Sequence, residues 1–204
     1  MKLLASHNSP YARKVRIALE EKRIPYELVI DRPSEPNSRV GEFNPLGKVP
    51  VLLRDDGSAL YDSPVIVDYV DGLDPARRLV PEAFAERIEV KRWEALGDGI
   101  IDATVAISHD VRLPEASRHP PDWHVRQQRK IDRGLAAMEK DLGGRDFCFG
   151  SSFTLADIAC GVAVGYLDRA LPKLDWRASH PALRRHAERM AERESFRKTL
   201  PPAG

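Results

Sequence analysis

The spacing of apolar residues changes near residue 75, and this change constrains the fold more than any other feature of the chain. Before it, short apolar runs alternate with proline and glycine, whereas the sequence after it is mostly long, charged and helix-forming. A chain with these two residue patterns is expected to form two units. The first would contain both strands and helices, and the second would be entirely helical.

The first part contains four short apolar runs that predict strands and two segments that predict helices. The predicted strands are Lys2–Ala5, Tyr26–Ile30, Val51–Leu53 and Ala59–Tyr61, and the helices follow Ser9-Pro10 and Ser63-Pro64. Asp56-Gly57, between the last two strands, is the strongest short hairpin signal in the chain. The order β-α-β-loop-β-β-α predicts a small mixed α/β sheet with helices packed on it.

The second part predicts an all-helical bundle. Its predicted helices are Phe84 to about Asp110, Asp122–Leu142, Leu155–Leu171 and Pro181–Arg193, and a proline-containing insert at 112–121 separates the first two. We therefore predict a first domain at residues 1–75, a linker at 76–83 and an all-helical domain at 84–204.

Charge and cysteine content argue against several functions. The 204 residues contain 32 Lys and Arg against 31 Asp and Glu, and this balance argues against a nucleic-acid surface built on bulk charge. No apolar run approaches the roughly 18 residues of a membrane span, and the amino terminus lacks signal-peptide features, so a cytoplasmic protein is expected.

Cys148 and Cys160 are too few and too far apart for a disulfide framework or a zinc ligand set, and both are predicted to be buried packing residues.

Ser9-Pro10 lies between a predicted strand and a predicted helix. The simplest interpretation is an N-cap, in which the Ser9 oxygen accepts a backbone N–H and Pro10 occupies the first helical position. A hydroxyl there can also donate to an anion such as a bound thiolate, which the helix dipole and unpaired amides favour. The two roles are compatible because a hydroxyl can accept and donate.

Two further proline-containing segments carry candidate binding groups. Val49-Pro50 precedes a strand, and a cis bond there would leave the backbone amide and carbonyl of Val49 free to pair with an extended peptide. At the second helix start, Ser63 is either an N-cap only, or it holds a carboxylate together with the following amides. In the latter case the neighbouring Asp62 would accept from an ammonium, and the pair would bind one amino-acid head group.

Four segments together resemble the glutathione S-transferase superfamily, and within it a small bacterial branch. In chain order they are Ser9–Leu19, Asn44–Leu52, Tyr61–Ile66 and Thr154–Asp157, and the likeness covers nearly the whole chain. The resemblance implies a thioredoxin-like first domain, an all-helical second domain and a homodimer. It also implies a detoxification enzyme that uses glutathione as co-substrate and a small hydrophobic electrophile as its second substrate. Together with the charge, hydropathy and cysteine content, no metal, nucleic acid or membrane is expected as a partner.

The resemblance assigns a role to each candidate site residue. It implies that Ser9 donates to the glutathione sulfur and favours its thiolate, the catalytic step of the family. Backbone groups of Val49, before a cis Pro50, would pair with the cysteinyl part of the tripeptide. The remaining assignments are the γ-glutamyl ammonium and carboxylate for Asp62 and Ser63, and the glycine carboxylate for Lys48.

The chain also departs from better-known members of the superfamily. Many of them have a tyrosine near the end of the first strand, where this chain has Ala5, Ser6 and His7, and others have a cysteine in place of Ser9. A mechanism through a protein thiol at position 9 is therefore unavailable. Thr154 and Asp157 are predicted to be structural, as the reciprocal capping box of a core helix.

Several functions remain open at this point. The same thiolate could serve a glutathione-dependent peroxidase, isomerase or dehalogenase instead of conjugation. A non-catalytic interaction protein that keeps the fold is an alternative from another class. The presence of Ser9, Val49-Pro50 and Asp62-Ser63 together favours an enzyme over an interaction protein.

Overall fold

The computed structural model of the chain describes residues 1–202 and divides it into two compact units. Unit 1 comprises Met1–Pro81 together with residues 192–202, and unit 2 comprises Glu82–Ala191. Within residues 1–202, none of the helices is long and apolar enough to cross a membrane.

Unit 1 is built on a four-stranded mixed sheet. Its strands are β1 (Lys2–Ala5), β2 (Glu27–Ile30), β3 (Val51–Leu53) and β4 (Ala59–Leu60), in the spatial order β2-β1-β3-β4. β1 runs parallel to β2, with Leu3 opposite Leu28, and antiparallel to β3, with Leu3 opposite Leu52. β3 and β4 form the antiparallel hairpin that Asp56-Gly57 predicted, and Gly57 has the positive φ of 83° that such a turn requires.

The helices of unit 1 connect and cover these strands. They are α1 (Pro10–Lys22), the short α2 (Val40–Phe43), α3 (Ser63–Leu73) and, after unit 2, α8 (Glu194–Lys198). A short 3-10 helix, Pro75–Arg77, follows α3. α1 packs against α3, and apolar side chains of both helices, including Ile17, Leu19, Ile66 and Val70, are fully buried. This apolar packing holds the amino-terminal ends of both helices in place relative to the sheet.

A buried ion pair joins the carboxyl-terminal ends of α1 and α3. Lys22 Nζ lies 3.0 Å from Asp71 Oδ1 and also donates to the backbone carbonyls of Asp71 at 2.6 Å and Asp74 at 2.5 Å. Asp71 Oδ1 in turn accepts from the Leu79 amide at 2.6 Å. The side chains of both charged residues are almost entirely removed from solvent. Such a pair is maintained only because its polar atoms are hydrogen-bonded.

The end of the chain packs with unit 1. Glu21, on α1, accepts from Arg193 Nη2 at 2.7 Å and from Ser195 Oγ at 2.5 Å. The Phe196 side chain is buried, and its carbonyl accepts from Arg13 at 3.3 Å. The domain prediction placed all of 84–204 in the helical domain, whereas the compact units assign the segment from Glu192 onward to unit 1.

Unit 2 is helical. It contains α4 (Phe84–Asp110), the short 3-10 helix Glu115–Ser117, α5 (Pro121–Leu142), α6 (Leu155–Ala170) and α7 (Pro181–Glu192), which ends one residue beyond the unit. α6 packs closely on α4: a Cβ added at Gly97 would lie 2.9 Å from the carbonyl oxygen of Ala159. Glycine at 97 therefore allows the two helix backbones to approach each other.

The predicted fold class is confirmed: a small mixed sheet with helices is followed by a helical unit. Predicted and observed element ends mostly agree within about one residue, since prolines and capping residues mark them locally. The sequence reasoning missed the short helices α2 and α8. The predicted helix after Ser63-Pro64 was expected to start at Val65, whereas α3 starts at Ser63.

Candidate active site

Ser9 occupies the N-cap of α1, directly after the turn that follows β1. Its φ and ψ of −74° and 117° are extended, and its Oγ accepts from the Ala12 amide at 3.2 Å. The Ser9 amide donates to the Ser6 carbonyl at 3.1 Å, which fixes the turn between strand and helix. Ser9 is partly exposed, so its own hydroxyl proton can be donated to a molecule outside the helix.

Val49 lies immediately before β3 in a loop that a buried asparagine organises. Asn44 Nδ2 donates to the Lys48 carbonyl at 2.8 Å, and Asn44 Oδ1 accepts from the Leu46 amide at 3.0 Å. The bond from Val49 to the buried Pro50 is cis. The hydrogen bonds found within residues 1–202 include none from the Val49 amide or to its carbonyl. A backbone pair without partners at the end of a strand can pair with an extended peptide.

Asp62 and Ser63 stand at the start of α3. Asp62 is the N-cap residue, but its side chain makes no capping hydrogen bond; its carbonyl accepts the Ile66 amide at 3.0 Å. The carboxylate of Asp62 is exposed, whereas Ser63 is the first helical residue and is buried. The simple N-cap interpretation of Ser63 is therefore wrong, since its backbone already belongs to the helix. The peptide bond between Tyr61 and Asp62 is cis.

The sheet topology brings these three segments to one edge. β1 and β4 run in the same direction, because each is antiparallel to β3. The carboxyl ends of β1 and β4 and the amino end of β3 therefore lie at the same edge. Ser9 follows β1, Val49 precedes β3 and Asp62 follows β4, so all three positions meet there, whereas Asp56-Gly57 lies at the opposite edge.

The same edge carries the amino-terminal ends of α1 and α3. Neither helix has an acidic side chain in its first turn, so the positive end of the α1 dipole is not neutralised by that helix, whereas the Asp62 carboxylate stands at the N-cap of α3. The exposed Lys48 adds a positive charge on the loop before Val49. The edge is thus suited to an extended ligand with several anionic groups, and Asp62 offers an acceptor for one cationic group.

Two predicted structural residues lie elsewhere, in unit 2. Thr154 Oγ1 accepts from the Ala156 amide at 3.2 Å, and Asp157 Oδ2 accepts from the Thr154 amide at 2.9 Å, which forms a capping box at the start of α6. Sequence reasoning missed Asn44, although the Asn44-Pro45-Leu46-Gly47 turn signal marked its position. It also missed Glu21 and Asp71, because no local pattern shows that an acidic residue will be held by a distant partner.

Comparison with known proteins assigns the chain to a family. A sequence model of the glutathione S-transferase N-terminal domain matches residues 8–73, and one of the C-terminal domain of the same family matches residues 111–189. The chain belongs to the glutathione S-transferase family. The N-terminal match contains Ser9, Val49 and Asp62, and so covers the whole sheet edge described above.

This member of the family has relatives of the same length. It is 37% identical to the uncharacterized GST-like protein YibF of Escherichia coli K12, over 99% of both chains, which agrees with the bacterial branch that its motifs predicted. A solved glutathione S-transferase from Methylobacillus flagellatus KT with glutathione bound has a TM-score of 0.95 and 45% identity, covering 98% of this chain and 99% of that chain. Another from Methylobacterium radiotolerans JCM 2831, in complex with glutathione sulfonate, has a TM-score of 0.94 and 43% identity, covering 100% and 95%.

Proposed function

We propose that this chain binds glutathione at the described sheet edge, stabilises its thiolate through Ser9 and adds it to a small hydrophobic electrophile. The observation that supports this proposal most strongly is the position of the Ser9 hydroxyl at the start of α1. Its oxygen accepts from the helix, while the residue is partly exposed at the positive end of α1. A hydroxyl in that position can donate to sulfur, and the α1 dipole favours the negative charge.

The other groups of the edge suit the remaining parts of the tripeptide. The amide and carbonyl of Val49 are suited to pair with the cysteinyl backbone, as one strand pairs with the next. The α-carboxylate of the γ-glutamyl group would be held at the start of α3 by Ser63 and nearby amides, with its ammonium at Asp62. Lys48 would attract the glycine carboxylate. These contacts would place the sulfur near Ser9.

The reaction follows from this arrangement. The glutathione thiol loses its proton to solvent, and the thiolate attacks the electrophilic carbon of RX, so that a sulfur–carbon bond forms and X⁻ leaves. Stabilisation of the thiolate and the proximity of the two reactants supply the rate gain. Two structural neighbours support the proposal, one with glutathione bound and one with glutathione sulfonate, a ligand that carries an anionic group at the sulfur.

The deciding experiment removes the Ser9 hydroxyl. Ser9→Ala is expected to lower turnover of a chloronitrobenzene by about 10²- to 10³-fold, as loss of one donor to a developing or bound anion does. Ser9→Asp separates the two roles of the residue, because it keeps an N-cap acceptor but cannot donate to a thiolate; it is also expected to be inactive. Ser58→Ala, in the hairpin turn at the opposite edge, is the matched control and is expected to retain full turnover.

Three results, one from the Ser9 variant and two from the unmodified protein, would change the conclusion. Undiminished turnover by a folded Ser9→Ala chain would overturn the role of Ser9. Turnover of peroxides, maleyl compounds or alkyl halides in place of the chloronitrobenzene would assign peroxidase, isomerase or dehalogenase chemistry. No calorimetric heat with millimolar glutathione would favour the interaction protein.

We also propose that the protein is a cytoplasmic homodimer active in detoxification, as the family resemblance implies. Light scattering on the purified chain is expected to give twice the 22.9 kDa mass of one chain. A monomer at micromolar concentration would contradict the homodimer.

A further inference from the structure

Three potential metal ligands meet in the interior of unit 2, in a place unrelated to the glutathione edge. Cys148 lies between α5 and α6, Cys160 lies in α6 and His186 lies in α7. One candidate ligand atom from each lies within 4.8 Å of those from the other two. All three residues are fully buried. The sequence suggested no metal site because these residues are separated by 12 and 26 positions, far from any recognised ligand spacing.

Asp157 supports this cluster through its hydrogen bonds. Its Oδ1 accepts from the Cys148 amide at 2.8 Å and lies 2.9 Å from His186 Nε2, a ring nitrogen that must be unprotonated to bind a metal ion. The same ring nitrogen lies 3.5 Å from Cys148 Sγ. His186 Nδ1 is buried and has no hydrogen-bond partner within residues 1–202. The imidazole thus carries a polar atom that the protein itself leaves unsatisfied, which is costly in a core.

The elements that carry the three ligands are connected to the rest of unit 2 by hydrogen bonds. Cys148 and the start of α6 are tied together by Asp157, which also closes the capping box with Thr154. α7 is fixed at its beginning, because Glu139 accepts from the amides of Ala182 and Leu183, each at 2.9 Å. The ligand positions are therefore set by helix packing, and a bound ion would not have to organise a loop.

We propose that Cys148, Cys160 and His186 form a buried structural zinc site. Two sulfurs and one imidazole nitrogen are a donor set that favours zinc over magnesium or calcium, which prefer oxygen. The Asp157 carboxylate lies beside the three ligands and is a further group of the kind that zinc accepts. Two thiolates balance the charge of the ion, so zinc enters the core without a net positive charge.

Both thiols must lose their protons to bind zinc, and zinc binding releases these protons to solvent. Because no ligand reaches the surface, the ion is expected to be taken up during folding and to leave only when unit 2 opens.

The test uses the untagged, full-length protein, since a histidine tag would itself bind metal. We expect the chain purified from zinc-supplemented culture to hold about one zinc ion after dialysis, measured by elemental analysis. Refolding the denatured chain with cobalt should give the intense thiolate-to-cobalt charge-transfer absorption, which requires sulfur ligands. This second readout does not depend on any variant.

Cys160→Ser and His186→Asn are expected to lose most of the bound zinc and of the cobalt charge-transfer band. His124→Asn, which removes a half-buried histidine of unit 2 outside the cluster, is the matched control and should retain both. If neither core variant folds, the wild-type cobalt spectrum alone decides. A folded wild-type chain that binds no zinc, or cobalt without charge transfer, overturns the proposal. Two cysteines recovered as a disulfide from protein purified under reducing conditions overturn it as well.

Discussion

Asn44 is a buried polar residue whose hydrogen bonds define the loop that presents Val49. It donates to the Lys48 carbonyl and accepts from the Leu46 amide, so both ends of its side-chain amide are used within four residues. In the proposed function, the amide and carbonyl of Val49 must be held in place for peptide pairing. Asn44 is thus a positioning residue for glutathione, acting through the loop.

Asn44→Ala is expected to raise the KM for glutathione by about tenfold, because it removes a buried side chain whose hydrogen bonds together stabilise the loop by about 1–3 kcal/mol. The kcat should change little, since Ser9 and α1 are not touched. Steady-state kinetics at varied glutathione concentration measures this split, and the exposed Asn37→Ala is the matched control. An unchanged KM, or a loss confined to kcat, would show that the loop does not position the ligand.

The position of some residues in the structure could be predicted from neighbouring residues in the sequence, whereas that of others could not. The positions of Ser9 and Asp62 at helix starts were predictable because a proline follows each within two residues, a signal contained within a short segment. Asn44 could be recognised only as part of a turn, since nothing local shows that its side chain is buried. The cluster of Cys148, Cys160 and His186 depends wholly on how distant elements pack.

Helices α1 and α3 of unit 1 are joined by an ion pair that their sequences do not predict. α1 and α3 pack through apolar side chains, but their carboxyl-terminal ends are joined by Lys22 and Asp71. Lysine near the end of a helix is normally exposed and favourable for the helix dipole, so a sequence predicts a solvated Lys22. The strand and helix ends were predictable because their signals are local, whereas this contact spans 49 positions.

Lys22→Met is expected to destabilise the protein by about 3–5 kcal/mol, since it leaves the Asp71 carboxylate buried without its counter-charge. The free energy of unfolding in urea measures the effect. Lys2→Met is the matched control: its partner Glu27 lies 3.0 Å away, but both side chains are more than half exposed, so a loss below about 1 kcal/mol is expected. Equal losses in the two variants would contradict the structural role of the buried pair.

At the scale of the whole molecule, unit 1 is discontinuous in sequence. Its last helix, α8, belongs to it through Phe196, which is buried, and through Arg193 and Ser195, which hold Glu21 on α1. The sequence division at residues 76–83 could not reveal this, because Glu21 and Arg193 are 172 positions apart. The pattern of apolar, proline and glycine residues along a chain shows where the type of secondary structure changes. It does not show where a terminal segment packs.

Phe196→Ala is expected to cost about 3–5 kcal/mol of stability, because it opens a cavity in a buried contact. Glutathione binding should weaken at temperatures where unit 1 begins to unfold, although no proposed ligand contact is altered. Leu200→Ala, in the same segment but 59% exposed, is expected to be nearly neutral. Calorimetric unfolding of both variants gives the comparison, and equal melting temperatures would show that α8 contributes little to unit 1.

The return of the chain to α1 also sets an order for biosynthesis. The ribosome makes Glu21 early, but its partners Arg193 and Ser195 leave the exit tunnel only after every residue of unit 2 has been translated. The part of unit 1 that contains Ser9 therefore lacks its final helix while about half of the chain is still being translated. Unit 2, which is continuous, can fold during that interval. The proposed glutathione-binding unit is thus begun first and completed last.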